Sequence, residues 1–124
     1  MKLSIIFPVK NEAKGISKTM DLICGGLDEI NYEIIMVNDY SDDDTYDVIS
    51  KKKDSYDKIK LFNNVKKGLG GAINLGIEKS VGEVVCIMMA DLSDDIADLK
   101  KYYQLIQSED VDAIFGSRFI KGSN

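Results

Sequence analysis

Three stretches of the chain concentrate the groups that can do chemistry. The first is Asp91-Leu92-Ser93-Asp94-Asp95, where carboxylates follow abruptly on the apolar run Val84-Val85-Cys86-Ile87-Met88-Met89. The second is Asn38-Asp39-Tyr40-Ser41-Asp42-Asp43-Asp44-Thr45, which follows Glu33-Ile34-Ile35-Met36-Val37. The third is Lys10-Asn11-Glu12, just past Leu3–Val9. A carboxylate is costly to bury alone, so Asp91 calls for a cation, a hydrogen-bond donor or water. The reading favoured for Asp91 is a divalent metal carrying a diphosphate. Capping of the next helix is the simpler account of Ser93, with Asp94 and Asp95 in its first turn. Ser41 or Asp42 likewise suits the start of a helix carrying Val48 and Ile49, which leaves Asp39 unexplained by capping. Arg118 follows a later apolar stretch and could clamp a phosphate.

The chain has no histidine. Ser-His-Asp and Cys-His nucleophile arrangements and histidine metal sites are therefore excluded. Chemistry falls to carboxylates, lysine, arginine, tyrosine, hydroxyls, or a metal held by oxygen ligands, which suits Mg²⁺ or Mn²⁺. Cys24 and Cys86 stand in apolar surroundings without the close spacing of a zinc site, and are expected to be reduced core residues of a cytoplasmic protein.

The elements that must position these groups follow from periodicity. Leu3–Val9 reads as a strand, with the single proline, Pro8, near its end. From Ala13, the residues Ile16, Met20, Ile23 and Leu27 recur at helical spacing until Gly25-Gly26 weakens or ends the helix. Strands are expected at Glu33–Val37, Ile59–Phe62, through the run before Asp91, and at Val111–Phe115. Gly68-Leu69-Gly70-Gly71 opens a helix expected to run through Ala72, Ile73, Ile77 and Val81. It matches neither the dinucleotide fingerprint nor the Walker A pattern, so close helix-to-sheet packing is its expected use rather than a phosphate cradle. Ile96, Leu99, Tyr102, Tyr103 and Ile106 mark a last amphipathic helix, whose tyrosines are expected to pack. The fold class is α/β, an open, largely parallel sheet flanked by helices. Ligands of such sheets bind beyond the carboxyl ends of the strands, which places Asn11, Asp39, Asp91 and Arg118 on one rim.

With 124 residues, 44% hydrophobic and 30% charged, the chain has the length and composition of one globular domain. A formal charge of −5 argues against a nucleic-acid partner. No apolar run reaches the ~20 residues of a membrane span.

Five segments resemble the nucleotide-sugar-binding half of GT-A glycosyltransferases of family 2, most nearly the dolichol- or polyprenol-phosphate mannose synthase-like enzymes. They are Ile6–Glu12, Asn38–Thr45 with the preceding Val37, Gly68–Gly76, Met89–Ser93 and Gly116–Phe119. The resemblance implies a glycosyltransferase that moves a sugar from a UDP- or GDP-linked donor, with Mg²⁺ or Mn²⁺, to a polyprenyl phosphate at a membrane surface. It implies nucleotide binding by Pro8, Lys10, Glu12, Asp39, Ala90 and Asp91. It implies a metal held by Asp91 with Ser93 beside it, and catalytic roles for Asp91 and Arg118. A phosphate acceptor is already ionised and needs no general base. Three positions depart from the family pattern. Met89 stands where the metal motif has a first aspartate, Asn38 replaces the first of an Asp-Asp pair, and Tyr40 replaces a usual glycine.

Relative to that family, residues 1–124 are expected to be the nucleotide-sugar-binding part, truncated before the acceptor-binding part. The alternative is a non-catalytic or truncated nucleotide-binding module. A response-regulator-like domain wants its carboxylates after the first and third strands, whereas here they follow the second and fourth. An edge strand left open by truncation could pair with a second copy as a homodimer.

Overall fold

The computed structural model describes residues 2–27, 30–88, 99–101, 103–104, 113–114 and 119–121. Strands β1 (Leu3–Val9), β2 (Tyr32–Asn38), β3 (Ile59–Asn63) and β4 (Val84–Ile87) alternate with helices α1 (Ile16–Gly26), α2 (Thr45–Lys52) and α3 (Leu69–Lys79). Two short strands follow, β5 (Ala113–Ile114) and β6 (Phe119–Lys121). The strand order is β3-β2-β1-β4-β6-β5. The first four strands are mutually parallel, while β6 runs antiparallel to both β4 and β5.

The two faces of β1 and β2 go to different helices because side chains alternate along a strand. Leu3, Ile5, Phe7 and Val9 of β1 join Tyr32, Ile34 and Met36 of β2 in one core with Ile16, Met20, Ile23 and Leu27 and with Ile49 of α2. Leu99 and Tyr103 are buried in the same core, so Tyr103 packs as expected. Ile35 and Val37 face the other way, against Ala72 and Leu75 of α3. There α3 lies close to the sheet: a Cβ on Gly76 would stand 2.4 Å from Cγ2 of Ile6. Burial on both faces is why β1 and β2 read as mostly apolar runs.

Pro8 sits inside β1, in register with Val37, and its missing N–H takes no bond from the β1–β2 ladder. The amide of Asp39 donates to the Val9 carbonyl, and that of Met88 to the Ile6 carbonyl. The backbone N–H and C=O groups of odd-numbered residues of β1 therefore point to β2 and those of even-numbered ones to β4. The β4 ladder ends at Ile6 and Ile87, so the missing N–H of Pro8 points past it.

At the opposite, amino-terminal end of the sheet lies a buried polar pin. Glu33 is 2% exposed. Its Oε2 accepts from the Ser4 hydroxyl (2.6 Å) and the Val81 amide (2.7 Å), and its Oε1 from Lys60 (2.8 Å). The Gly82 amide donates to Ser4 Oγ at 2.8 Å. Burial opposes the charge on Glu33, but Lys60, Ser4 and the Val81 amide outweigh it and hold the carboxyl below its ordinary range.

Several sequence expectations are corrected. The helix expected from Ala13 starts at Ile16 after a turn, and α3 stops at Lys79, leaving Val81 exposed with its amide on Glu33. Of the apolar run before Asp91, Val84–Ile87 is strand and Met88 is not, while Met89 and Ala90 lie outside the described residues. The strand expected at Val111–Phe115 is described only at Ala113–Ile114, and it does not neighbour β4. Phe119–Lys121, where no strand was expected, forms the neighbour of β4 instead. Cys24 and Cys86 are both buried thiols in no disulfide, and burial raises the Cys86 thiol to about 12. Among the described residues no helix is long and apolar enough to cross a membrane.

Candidate functional site at the carboxyl rim of the sheet

The loops after β1, β2 and β3 meet at the carboxyl ends of these strands and are tied together side chain to backbone. Ser41 Oγ accepts from the Asn11 amide (3.0 Å) and donates to Asn38 Oδ1. Asn11 Oδ1 accepts from the Asp42 amide at 2.7 Å. Thr45 Oγ1 accepts from the Glu12 amide at 2.8 Å and donates to Asp43. Asp43 Oδ2 accepts from the Ala13 amide at 3.3 Å. Ser41 and Asp42 thus do not cap α2. Its N-cap residue is Asp44, which makes no side-chain cap bond, and the Thr45 amide is met by Asp43 Oδ1 at 3.0 Å. The polar run 41–45 serves to join the first two loops.

Asp39 is the exception among these acids. It is buried at the end of β2, and its Oδ1 accepts two bonds of 2.9 Å, from Asn64 Nδ2 and from the Gly68 amide. Burial works against its charge. The Gly68 amide, Asn64, and the positive fields of Lys10 and Lys67 overcome it, and the carboxyl lies below its usual range. Asp39 is therefore ionised at neutral pH, with Oδ2 unbonded among the described residues.

The loop that supplies these donors is shaped for it. Gly68 has φ of +116°, outside the range of L side chains. The Asn64 amide group also reaches the carbonyls of Lys66 (2.6 Å) and Gly68 (3.2 Å). The first amide of the glycine-rich helix start is thus spent on a carboxylate of the protein. A Cβ on Gly71 would lie 2.0 Å from the Lys66 carbonyl oxygen, so this glycine lets the helix start pack on the preceding loop rather than, as expected, on the sheet.

Of the residues singled out from sequence, Lys10, Glu12 and Asp39 stand together on the rim, with Pro8 buried beneath them in β1. Glu12 serves through its backbone: its carbonyl accepts from the amides of Gly15 and Ile16, and its amide binds Thr45. Ala90, Asp91, Ser93 and Arg118 lie outside the described residues, as do Met89 and Tyr102. Among the described residues no group of three His, Cys, Asp or Glu side chains could hold a metal ion. Sequence reasoning passed over Asn64 and Gly68 as partners of Asp39. Their signal was a polar pair, Asn63-Asn64, at the end of β3, followed four residues on by the first glycine of the glycine-rich helix start.

A parallel sheet covered by helices, with an ionised aspartate held at its carboxyl rim, is an open α/β fold with its binding edge at the strand ends, and solved structures of GT-A glycosyltransferases share it. The S. aureus TarS 1–349 structure in complex with UDP superposes with a TM-score of 0.71 over 94% of this chain and 37% of that one, at 21% identity. The mannosyltransferase PcManGT from Pyrobaculum calidifontis, in complex with GDP-Man and Mn²⁺, gives 0.64 over 72% of this chain and 27% of that one, at 24% identity. The family model for glycosyl transferase family 2 matches residues 4–124, and the chain belongs to that family. A dolichol-phosphate mannosyltransferase of Pyrococcus furiosus is 32% identical over 123 residues, which are 98% of this chain and 34% of that protein. The chain spans about a third of the length of that relative.

Proposed function

We propose that residues 1–124 form the nucleotide-sugar-binding part of a glycosyltransferase that moves a sugar from a UDP- or GDP-linked donor to a polyprenyl phosphate. The observation that carries this reading is Asp39, ionised and held by Asn64 and Gly68 at the carboxyl rim of a parallel sheet. A carboxylate so placed accepts N–H groups from the edge of a nucleotide base. Lys10 lies near enough to act on the same carboxylate. Pro8 and the Glu12 backbone fix the first wall of the pocket.

The family membership supports the sugar-transfer chemistry, and the Pyrococcus relative, named for transfer to dolichol phosphate, supports the lipid acceptor. Such an acceptor brings its own ionised oxygen, so a chain without histidine lacks nothing as a base. Asp91, with Ser93 beside it, supplies hard oxygen donors that suit Mg²⁺ or Mn²⁺, and the PcManGT complex with Mn²⁺ supports a metal. When bound, the cation supplies charge to the leaving nucleoside diphosphate. Ala90 would line the nucleotide, and Arg118 would hold a phosphate of donor or acceptor.

A second reading has one specific support. Met89 stands two residues before Asp91, and a thioether is a poor ligand for a hard cation, as in a nucleotide-binding module that has lost turnover. Calorimetric titration of UDP and GDP, each with and without Mn²⁺, tests both. Mn²⁺-dependent binding of one nucleotide, lost in Asp91→Ala, is expected. Metal-independent binding, strengthened by Mn²⁺ only in Met89→Asp, would favour the second reading. No binding of either nucleotide would overturn both.

A further inference from the structure

Tyr40 occupies a backbone conformation that aromatic residues avoid, with φ of +54°. The core does not repay this, since the residue is 47% exposed. What the side chain does is hold the β3–α3 loop. Its hydroxyl donates to the Val65 carbonyl at 2.9 Å, and Lys67 Nζ lies 5.8 Å from its ring centroid. Asp39, the preceding residue, bonds Asn64 and Gly68 of the same loop. Two consecutive residues at the end of β2 thus grip one loop in alternation, Asp39 at positions 64 and 68 and Tyr40 at 65 and 67.

We propose that Tyr40 is a positioning residue for the base end of the nucleotide site. By fixing Val65 and Lys67 it keeps the two donors on Asp39 Oδ1, so that Oδ2 faces the base with its charge retained. The inference rests on the nucleotide-binding reading above. It assigns to Tyr40 a task that a glycine at this position could not perform, because the task belongs to the hydroxyl and the ring.

The test is titration of UDP and GDP, with Mn²⁺ present, into the wild type, Tyr40→Phe and Tyr40→Gly, with thermal unfolding of each. Phenylalanine removes the tether to Val65 and keeps the ring under Lys67. Glycine removes both and suits the positive φ, so it folds. The preferred nucleotide should weaken about threefold to tenfold in Tyr40→Phe, the measure of one lost hydrogen bond, and further in Tyr40→Gly. Discrimination between UDP and GDP should narrow in the same order, while the unfolding temperature of Tyr40→Gly stays at or above that of the wild type. Unchanged affinity and discrimination in both variants would overturn the proposal. So would an equal loss for both nucleotides that tracks a lowered unfolding temperature, the mark of a merely structural residue. A wild type that binds neither nucleotide would sink the functional reading itself, a result distinct from both.

Discussion

At the scale of single residues, two buried carboxylates sit at opposite ends of the same sheet and answer to different demands. Glu33 has both oxygens occupied by Ser4, Val81 and Lys60, which leaves nothing for a ligand. Asp39 has one oxygen occupied and, among the described residues, one open. Glu33→Gln offers one acceptor oxygen where the carboxylate offered two, and is expected to cost about 1–3 kcal/mol through the donor left unpaired. Because the folded pKa of Glu33 lies below its unfolded value near ~4.3, its contribution is complete above that pH and is lost as pH falls through the folded value. Urea unfolding at pH 7 and pH 3 should therefore show a larger acid loss in the wild type than in Glu33→Gln. For Asp39→Asn the readout is binding. The amide keeps one acceptor but presents N–H to the base, so the affinity for the preferred nucleotide should fall about tenfold or more, measured by calorimetry.

At the scale of elements, the contact between α3 and β1 controls how near the glycine-rich helix start comes to the rim. Gly76→Ala would improve intrinsic helix propensity by about 0.8–1 kcal/mol. The new methyl, however, would meet Ile6 at 2.4 Å on a fully buried central strand. Overpacking of this kind costs ~1–3 kcal/mol and outweighs the gain. Gly76→Ala should lower the denaturation midpoint, and Ile6→Ala should lower it on its own by leaving a cavity. The double variant should be less destabilised than the sum of the two, because Ile6→Ala removes the atoms that clash; a double-mutant cycle reads this directly. Additive effects would mean that α3 does not press on β1 as described.

At the scale of the molecule, three loops from three parallel strands close one rim, so a ligand there braces elements that are far apart in sequence. Ligand binding to the native state alone stabilises by RT ln(1 + [L]/Kd), about 2.7 kcal/mol at a hundredfold excess over Kd. The unfolding temperature should therefore rise with saturating nucleotide and Mn²⁺, and a tenfold weaker Asp39→Asn should keep only about half of that stabilisation at the same ligand concentration. The sheet also has an edge at β3, where Lys60 is drawn inward to Glu33. A lysine on an edge strand discourages pairing with another chain.

Much of this was legible in the chain itself. Mostly apolar runs at Leu3–Val9 and Ile34–Val37 are readable because both faces of a covered parallel strand are dry, and the polar residues just beyond them mark the rim. The helical spacing of Ile16, Met20, Ile23 and Leu27 gave α1 its buried face, although its start was misjudged because Ala13–Gly15 form a turn that periodicity does not register. What local pattern could not carry was partnership. Ser41 and Asp42 look like helix caps from their neighbours in sequence, yet Ser41 Oγ and the Asp42 amide bond Asn11, about 30 residues away. The antiparallel insertion of β6 beside β4 was equally hidden, since three residues of strand leave no period to detect.

The sequence alone determined the class of fold, the strand ends at which ligands meet the sheet, and the exclusion of histidine chemistry, since all three rest on composition and on the order of apolar and polar runs. Only the tertiary structure decided that Asp39 is held ionised by Asn64 and Gly68, that Glu33 is sealed by Ser4, Lys60 and Val81, and that Tyr40 ties down the loop between β3 and α3. A residue's type announces that it can accept or donate, but its charge and its free oxygen are set by which distant groups the folded chain brings within hydrogen-bonding distance.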